Sequence, residues 1–251
     1  MNREATDLAG VRYMNYETLG STNAEALALA RAGERGPLWI SARTQSAGRG
    51  RRGSHWVSPA GNLHATLLLS EPSPVALAPQ LSFVAALAAH DAIAGCAPHL
   101  GPDLKVKWPN DLLVEKAKIA GILIEGESEP AFVVAIGIGV NCAAHPDHTD
   151  YPAADLAGLG ALVVPDGLLQ ELARAMQRRL AQWKSGLGFS ATRADWLKRA
   201  AGLGETLRVR LPGRELSGRF QGLDDAGRLL LDQAGVVTPV TAGEVFGFGG
   251  R

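Results

Sequence analysis

Residues 107–125 read Lys-Trp-Pro-Asn-Asp-Leu-Leu-Val-Glu-Lys-Ala-Lys-Ile-Ala-Gly-Ile-Leu-Ile-Glu. The segment sets Lys107, Asn110, Asp111 and Lys118 among apolar runs in one short hairpin-like unit. Charged side chains in such a setting need charged partners, because burying an unpaired charge is costly. A carboxylate or a phosphate would satisfy the lysines.

The loop at residues 48–53, Gly-Arg-Gly-Arg-Arg-Gly, fits the G-x-G-x-x-G pattern of dinucleotide-binding proteins. That pattern must open a helix, and residues 54–61 are a poor helix, so we discount it in spite of Glu71 near the expected acidic position. Three arginines in a flexible loop suit forked hydrogen bonds to phosphate or carboxylate oxygens. The plain alternative is a solvated basic turn. With residues 107–125, the loop favours a pocket that holds an acid and a nucleotide phosphate.

Ser21, Thr22 and Asn23 offer hydroxyl and amide groups just before a predicted helix. They could bind a polar ring of a ligand, or they could simply cap the helix, which their residue types alone favour. Thr22 with Glu25 also fits a capping box, and Gly33 can close the helix. Taken alone, Lys118 could contact solvent at a strand end, and Asp111 could be an ordinary turn residue.

Length, composition and charge balance limit the classes of protein to which the chain can belong. The 251 residues are 46% hydrophobic, which is enough for two domains, and 25 basic residues balance 25 acidic ones. This balance gives no overall basic surface for nucleic acid. We find no leader segment and no apolar run close to the length of a membrane span, so we expect a soluble cytoplasmic protein. Cys96 and Cys142 form no CxxC pair, and His145 and His148 lack a third ligand, so no metal site is expected.

Periodicity predicts a helix from residue 22, a helix over 79–93, and a helix capped by Asp166. Strands are predicted over 38–44, 62–69, 104–108, 119–125 and 132–141. The third helix carries one apolar stripe, formed by Leu169, Leu172, Met176, Leu180 and Trp183. Near Gly202 the pattern changes to short strands over 206–211, 215–223, 229–232 and 236–240, separated by glycine turns. A small all-β domain is therefore predicted at 203–251.

Five motifs occur in the order of the biotin protein ligase family, which the chain resembles over residues 13 to 142. They are Ser21-Thr22-Asn23, Gln45 to Gly53 with Trp56, Lys107-Trp108-Pro109-Asn110-Asp111, Lys118-Ile119-Ala120-Gly121-Ile122-Leu123, and Gly137-Ile138-Gly139-Val140-Asn141. The tail over 202–251 is similar to the small SH3-like domain of that family. The implied fold is α+β and class II synthetase-like: a mixed, mainly antiparallel sheet with helices on one side over residues 1–202, followed by a small β-barrel.

The resemblance implies a two-step reaction. The carboxylate of biotin attacks the α-phosphorus of ATP to give biotinyl-5′-adenylate and pyrophosphate, and a lysine amine then displaces AMP to form an amide. Fixed arginines and lysines, together with Mg²⁺, screen the repulsion between carboxylate and polyphosphate. No metal held tightly by protein side chains is implied, and the implied acceptor is a biotin carboxyl carrier domain of a carboxylase.

The resemblance also implies a role for each motif residue. Lys118 takes the main electrostatic role, Arg51 assists it, and Asp111 orients or deprotonates the incoming lysine. The implied biotin-binding residues are Ser21, Thr22, Asn23, Gln45, Arg49, Gly50, Arg51 and Lys118. The implied nucleotide-binding residues are Arg51, Trp56, Lys107, Asn110, Lys118 and Asn141.

The sequence departs from the family pattern in two places. Ser54 stands where members often carry an arginine, which leaves one fewer cation for the polyphosphate, and Arg52 is the nearest candidate to replace it. About twenty residues precede Ser21, which leaves no room for the helix-turn-helix domain of dual-function members. We therefore expect a monofunctional ligase that binds neither DNA nor membrane. A homodimer is left open.

Two alternatives stay open. A lipoate or octanoate ligase or transferase has a similar fold, but an alkyl chain would leave the polar groups for a bicyclic ring unpaired. A biotin-binding module without catalysis would bind biotin and release no pyrophosphate, and the intact Lys118 and Arg51 argue against it.

Overall fold

A computed structural model describes residues 6–129, 131–147 and 149–246. The first part of the chain forms one large sheet with four helices, and the last part forms a smaller sheet. The strands of the large sheet are β1 Thr6–Leu8, β2 Val11–Leu19, β3 Leu38–Gln45, β4 Leu63–Ser70, β5 Leu104–Lys107, β6 Asp111–Val114, β7 Ala117–Glu127 and β8 Val133–Val140. The helices are α1 Thr22–Arg31, α2 Leu81–Cys96, α3 Pro165–Trp183 and α4 Phe189–Leu197.

The large sheet has eight strands in the order β1-β2-β3-β4-β8-β7-β6-β5. Strands β2 and β3 are parallel, and every other neighbouring pair is antiparallel. Strands β5, β6 and β7 form two successive hairpins, so the charged segment at 107–125 folds back on itself twice. Backbone bonds between Val106 and both Arg199 and Ala201 cover the β5 edge of the sheet.

Helices cover both faces of this sheet. Helices α2 and α3 pack on one face and build the main core, while α1 packs on the other face over Leu38, Ile40 and Leu68. The expectation of helices on one side only is therefore wrong, because the apolar stripe of α1 needs a second apolar surface to cover it. The α+β class itself is confirmed.

The second sheet contains β9 Thr206–Leu211, β10 Arg214–Leu223, β11 Leu229–Gln233, β12 Val236–Val240 and β13 Glu244–Phe246. Its order is β12-β11-β10-β9-β13, and all pairs are antiparallel. The indole nitrogen of Trp108 donates to the carbonyl oxygen of Gly227 at 3.1 Å, which ties this sheet to the motif segment of the first. The boundary at residue 203 remains a prediction.

The sequence missed β1, β2, β6, β13 and α4, and it placed two helix caps wrongly. The N-cap of α1 is Ser21, one residue before the predicted Thr22, and Glu25 accepts from the Tyr16 hydroxyl instead of closing a capping box. Helix α3 begins at Pro165, so Asp166 lies in its first turn. Proline at the first helical position is favourable, since its missing N–H would have no helical partner.

Residues Val75–Cys96 form the one helical segment of the described chain that is long and apolar enough to cross a bilayer, contrary to the sequence expectation. Of its most apolar 18-residue window, 67% is buried within the fold. Its alanines and leucines pack between the large sheet and α3. Its hydrophobicity is accounted for by its place in the core.

Candidate active site

A cavity of about 420 Å³ lies on the α1 side of the large sheet. It brings together residues from all the motif blocks with Glu244 of the second sheet and Gly243 just before it. The predicted site residues that line it are Ser21, Thr22, Asn23, Gln45, Arg49, Gly50, Arg51, Trp56, Lys107, Asn110, Asp111 and Lys118. Other lining residues include Arg52, Ser54, His64, Tyr151, Gly243 and Glu244.

The floor of the cavity is one row across four strands. Asp111 of β6 pairs with Gly121 of β7, Gly121 pairs with Gly139 of β8, and Gly139 pairs with His64 of β4. The Trp56 ring lies over the two glycines: a Cβ built on Gly139 would be 2.5 Å from the indole nitrogen. Glycine is required here because any side chain would displace the tryptophan.

Two lysines and one carboxylate form the charged end of the cavity. Lys118 Nζ lies 2.7 Å from Asp111 Oδ1, and Lys107 Nζ lies 3.9 Å from Asp111 Oδ2. Burial lowers the pKa of Lys107, and the nearby Asp111 partly offsets this effect. Lys118 Nζ also lies 5.4 Å from the ring centre of Trp56 and 5.1 Å from that of Tyr151. Both distances fall within the range of cation–π attraction.

Asp111 begins strand β6, so it is not an ordinary turn residue. The backbone of Lys118 pairs with Pro152 and Ala154, which fixes the start of β7 against the following loop. The cations Lys107, Lys118 and Arg51 face two carboxylates here, those of Asp111 and Glu244, which leaves a net positive charge. The arrangement therefore suits an incoming anion.

The opposite end of the cavity is polar and uncharged. Gln45 Oε1 accepts from the Thr22 backbone nitrogen at 2.8 Å and lies 3.2 Å from the Thr22 hydroxyl, while Gln45 Nε2 donates to Ser58 Oγ at 2.9 Å. Ser21 Oγ accepts from the Ala24 backbone nitrogen and caps α1, as the plain alternative for Ser21 expected. Its hydroxyl hydrogen remains able to donate. Thr22 lies in the first turn of the helix and lines the cavity.

Asn23 is 3% exposed and is held by three groups. Its side-chain nitrogen donates to the Leu123 carbonyl at 3.3 Å and to Glu125 Oε2 at 2.9 Å, and its Oδ1 accepts from the Thr66 hydroxyl at 2.7 Å. These bonds fix the orientation of the amide. They also occupy most of its hydrogen-bonding capacity, so Asn23 shapes this end of the cavity more than it is free to bond a ligand.

The loop at residues 48–53, here called the arginine loop, covers the cavity on the side opposite its floor. Arg49 pairs with Glu125 Oε2 at 3.0 Å, and Arg51 donates to Asn110 Oδ1 at 3.3 Å and to the Gly243 carbonyl at 3.4 Å. Burial lowers the pKa of Arg51, with a smaller contribution from Arg52. A guanidinium remains charged at neutral pH even so.

The loop contains only one turn of 3-10 helix, Arg51–Gly53, and residues 54–61 contain no helix. The prediction that residues 54–61 form no helix of a dinucleotide-binding fingerprint is therefore confirmed. Gly48 allows close packing in this loop, since a Cβ there would lie 2.4 Å from the Trp56 carbonyl oxygen. Ser54, the departure from the family pattern, donates its hydroxyl to the Arg51 carbonyl at 3.0 Å.

Asn141 alone among the predicted site residues, all of which lie in the described chain, does not line the cavity. Its side-chain nitrogen donates to the Ala154 carbonyl at 3.0 Å, and its backbone nitrogen donates to Ile119. These bonds hold the segment that pairs with Lys118. The structure thus places Asn141 behind the charged end of the cavity.

Sequence reasoning missed His64, Tyr151, Gly243 and Glu244. His64 could have been found from the alternation of β4, because it lies two residues before Thr66 on the same face. It is buried, and burial lowers the pKa of its ring. The other three have no local signal, since Tyr151 and Gly243 lie in loops, Glu244 begins the short strand β13, and all three are distant in sequence from the other motifs.

No group of three or more histidine, cysteine, aspartate or glutamate side chains in the described part of the chain is placed to hold a metal ion. His145 Nδ1 lies 2.5 Å from Asp155 Oδ2, so this histidine already has a protein partner. His148, the other histidine of that loop, lies outside the described residues.

The combination of fold and cavity corresponds to a broad class of protein. A family model described as "Biotin/lipoate A/B protein ligase family" matches residues 21–141, and one described as "Biotin protein ligase C terminal domain" matches residues 202–246. The first of these spans every predicted site residue. The class is therefore that of the biotin and lipoate protein ligases.

Curated relatives narrow the class. The chain is 45% identical over 239 residues to "Biotin--[acetyl-CoA-carboxylase] ligase" of Paracoccus denitrificans, covering 92% of this chain and 98% of the relative. A ligase of the same name from Mycobacterium tuberculosis is 37% identical, with 90% of this chain and 85% of the relative covered. The chain belongs to the biotin protein ligase family.

Solved structures agree on the fold. Biotin protein ligase from Aquifex aeolicus in complex with biotin and ATP superposes with a TM-score of 0.80 at 23% identity, covering 93% of this chain and 97% of that one. The Leishmania major enzyme in complex with biotinyl-5-AMP has a TM-score of 0.66 at 25% identity, with 92% and 98% covered.

Proposed function

We propose that this chain activates biotin with ATP and transfers the biotinyl group to a lysine of a biotin carboxyl carrier domain. One observation carries the proposal: the polar end near Thr22 and Gln45 and the cationic end near Lys118 share a single cavity. A ligand with a polar ring at one end and a carboxylate at the other fits such a cavity. Biotin has this shape and chemistry.

In the first step a biotin carboxylate oxygen bonds to the α-phosphorus of ATP, and the bond to pyrophosphate breaks. Lys118 bridges the carboxyl oxygen and the α-phosphate, where negative charge develops, and Arg51 holds the adenylate from the loop. Arg49 and Gly50 meet the carboxylate, while Lys107 and Asn110 lie near the phosphates. Protein charges fixed in this way stabilise the transition state without reorganising during the reaction.

In the second step the amine of the acceptor lysine bonds to the acyl carbon, and AMP leaves. The amine must lose a proton to form the amide. Asp111 is the candidate to orient the amine or take this proton, because its carboxylate lies in the cavity beside Lys118. Once the adenylate draws Lys118 toward its phosphate, Asp111 is released from its 2.7 Å ion pair.

The nucleotide contacts of Trp56 and Asn141 are part of the proposal. Trp56 packs over the cavity floor and presents an aromatic face, and its indole nitrogen has no hydrogen-bond partner within the described residues. The approach of Asn141 to adenine remains a prediction, since its present bonds hold Ala154. Arg52 lines the cavity and is placed to supply the charge that Ser54 lacks.

Mg²⁺ would enter with the nucleotide. Asp111 and Glu244 supply carboxylate oxygens at the charged end of the cavity, which fits an ion held by one or two carboxylates and phosphate oxygens. When bound, the ion neutralises polyphosphate charge. The chemical steps themselves rest on Lys118, Arg51, Lys107 and Asp111.

The test is mass spectrometry of a purified biotin carboxyl carrier domain after incubation with this protein, ATP, Mg²⁺ and either biotin or lipoate. We expect a biotinyl adduct with biotin alone, accompanied by pyrophosphate release. A lipoyl adduct would move the chain to the neighbouring ligases of its class. Pyrophosphate release without an adduct would indicate the wrong acceptor, and the absence of both would indicate a binding module. We place the reaction in the cytoplasm, where such carrier domains and ATP meet.

A further inference from the structure

Glu125 lies outside the cavity, yet it contacts two residues that line it. Its Oε2 atom accepts from Asn23 Nδ2 at 2.9 Å and from an Arg49 guanidinium nitrogen at 3.0 Å. Asn23 belongs to α1 and Arg49 to the arginine loop. One carboxylate oxygen therefore joins the polar end of the cavity to the loop that closes it.

The two bonds restrict the orientations of the Asn23 amide and the Arg49 guanidinium. Asn23 is also held by Thr66 and by the Leu123 carbonyl. The bond to Glu125 completes the set of contacts that fixes the orientation of its amide group. Arg49 has a side chain that is 45% exposed, and without a partner it would sample many rotamers. Glu125 uses part of the guanidinium and leaves its other N–H groups for a ligand.

We propose that Glu125 is a positioning residue for the acid substrate: it holds Arg49 and Asn23 in the arrangement that binds biotin. This inference rests on the proposed function, since it takes biotin as the acid. Glu125 touches neither biotin nor ATP in this account. Its effect should fall on biotin rather than on ATP, because Lys107, which is assigned to the phosphates, pairs with Asp111 and not with Glu125.

The chain offers a closely matched control in Glu127. This residue lies on the same strand, and its carboxylate pairs with Arg31 of α1 at 2.9 Å. The two glutamates are similarly exposed, at 28% for Glu125 and 30% for Glu127. Both tie α1 to β7, but only Glu125 also reaches the arginine loop. A purely structural role would make the two substitutions equivalent.

The experiment compares Glu125→Gln and Glu127→Gln with the wild type. Calorimetry gives the Kd for biotin in the absence of ATP, and steady-state pyrophosphate release gives the KM for each substrate and kcat. We expect Glu125→Gln to weaken biotin binding about tenfold, the scale of one lost charge-assisted hydrogen bond. The KM for ATP should stay within about twofold, and Glu127→Gln should resemble the wild type in every constant.

A double-mutant cycle tests whether Glu125 affects biotin affinity through Arg49. In an Arg49→Ala background, Glu125→Gln should cost less biotin affinity than it does in the wild type, because only the contact with Asn23 remains to be lost. Fully additive losses would show that Glu125 does not act through Arg49. Equal effects of Glu125→Gln and Glu127→Gln on biotin affinity, or an unchanged Kd in Glu125→Gln, would overturn the inference as a whole.

Thermal unfolding of each variant shows whether the fold is kept, and Glu125→Asp supplies a second variant that keeps the charge but shortens the reach. We expect Glu125→Asp also to weaken biotin binding, and wild-type affinity in it would count against a geometric role. If the wild type forms biotinyl-adenylate while Glu125→Gln binds biotin normally, only this inference fails. If the wild type binds no biotin, the proposed function fails with it.

Discussion

The two faces of the large sheet differ although the same strands build both. On the face toward α2 and α3, strand β8 presents Ile136, Ile138 and Val140, and these side chains are fully buried in the main core. On the other face the same strand presents Gly137 and Gly139 to the cavity. Alternation along a strand therefore separates the residues that stabilise the fold from those that make the site.

The difference has a physical basis. Large apolar side chains on the core face exclude water and contribute most of the stabilisation. Glycine on the cavity face leaves room for Trp56 and for a ligand. Substitutions on the two faces should therefore change activity and stability independently.

Lys118→Ala should have the largest effect on activity and little effect on folding. It removes a cation that lies 2.7 Å from Asp111 and that we assign to the developing negative charge. We expect biotin-dependent pyrophosphate release to fall by at least about 10²-fold, the scale of one lost transition-state donor. Thermal unfolding should stay close to that of the wild type. Near-normal turnover in this variant would remove Lys118 from its central role.

Ile136→Ala should lower the stability of the fold and leave substrate binding unchanged. The side chain is fully buried on the core face and does not line the cavity, so its loss leaves a cavity in the core. We expect the free energy of unfolding to fall by about 2–5 kcal/mol, measured by denaturant titration. Molecules that remain folded should keep their KM values. A large rise in the KM for biotin would show that the two faces are coupled.

Gly139→Ala should affect the cavity face of the same strand. The added Cβ would meet the Trp56 ring at 2.5 Å, so the tryptophan must move. We expect the KM for ATP to rise about tenfold, within the range for lost aromatic packing against a ligand. Gly95→Ala in α2 is the control, because a Cβ there has no neighbour within 4 Å. An unchanged KM for ATP in Gly139→Ala would remove Trp56 from the nucleotide site.

Ligand protection of the arginine loop should be the smallest effect. The loop is rich in glycine and arginine, and the Arg51 side chain is held by two hydrogen bonds longer than 3.2 Å. We expect biotin with ATP to slow proteolysis near Arg51 several-fold, because adenylate contacts order the loop. Cleavage rates can be followed by gel electrophoresis. Equal rates with and without ligands would contradict this ordering.

Local sequence signals marked the segments that build the cavity, and the resemblance to the biotin protein ligase family supplied the roles of their residues. The Ser21-Thr22-Asn23 block, the arginine loop and the segment from Lys107 to Lys118 each carry unusual polar residues beside apolar runs. Such combinations stand out because strands and helices rarely place charge there without a partner. Twelve of the thirteen predicted site residues line the cavity, and Asn141 lies behind it.

What the sequence could not supply depends on distant contacts. Arg51 reaches the carbonyl of Gly243, which lies 192 positions away, and no local pattern marks that pairing. Strand β2 was missed because its residues are half-buried with mixed polarity, so it lacks clear alternation. Strand β6 was missed because Pro109 and Asn110 favour a turn, and the strand begins directly after them at Asp111.

The most direct test of the central claim is isotope exchange between pyrophosphate and ATP, measured with biotin, with lipoate and with neither acid. We expect exchange that depends on biotin, is absent with lipoate, and is lost in Lys118→Ala while that variant stays folded. Exchange that is equal with both acids, or no exchange with biotin, would contradict the claim that this cavity joins biotin to a nucleotide.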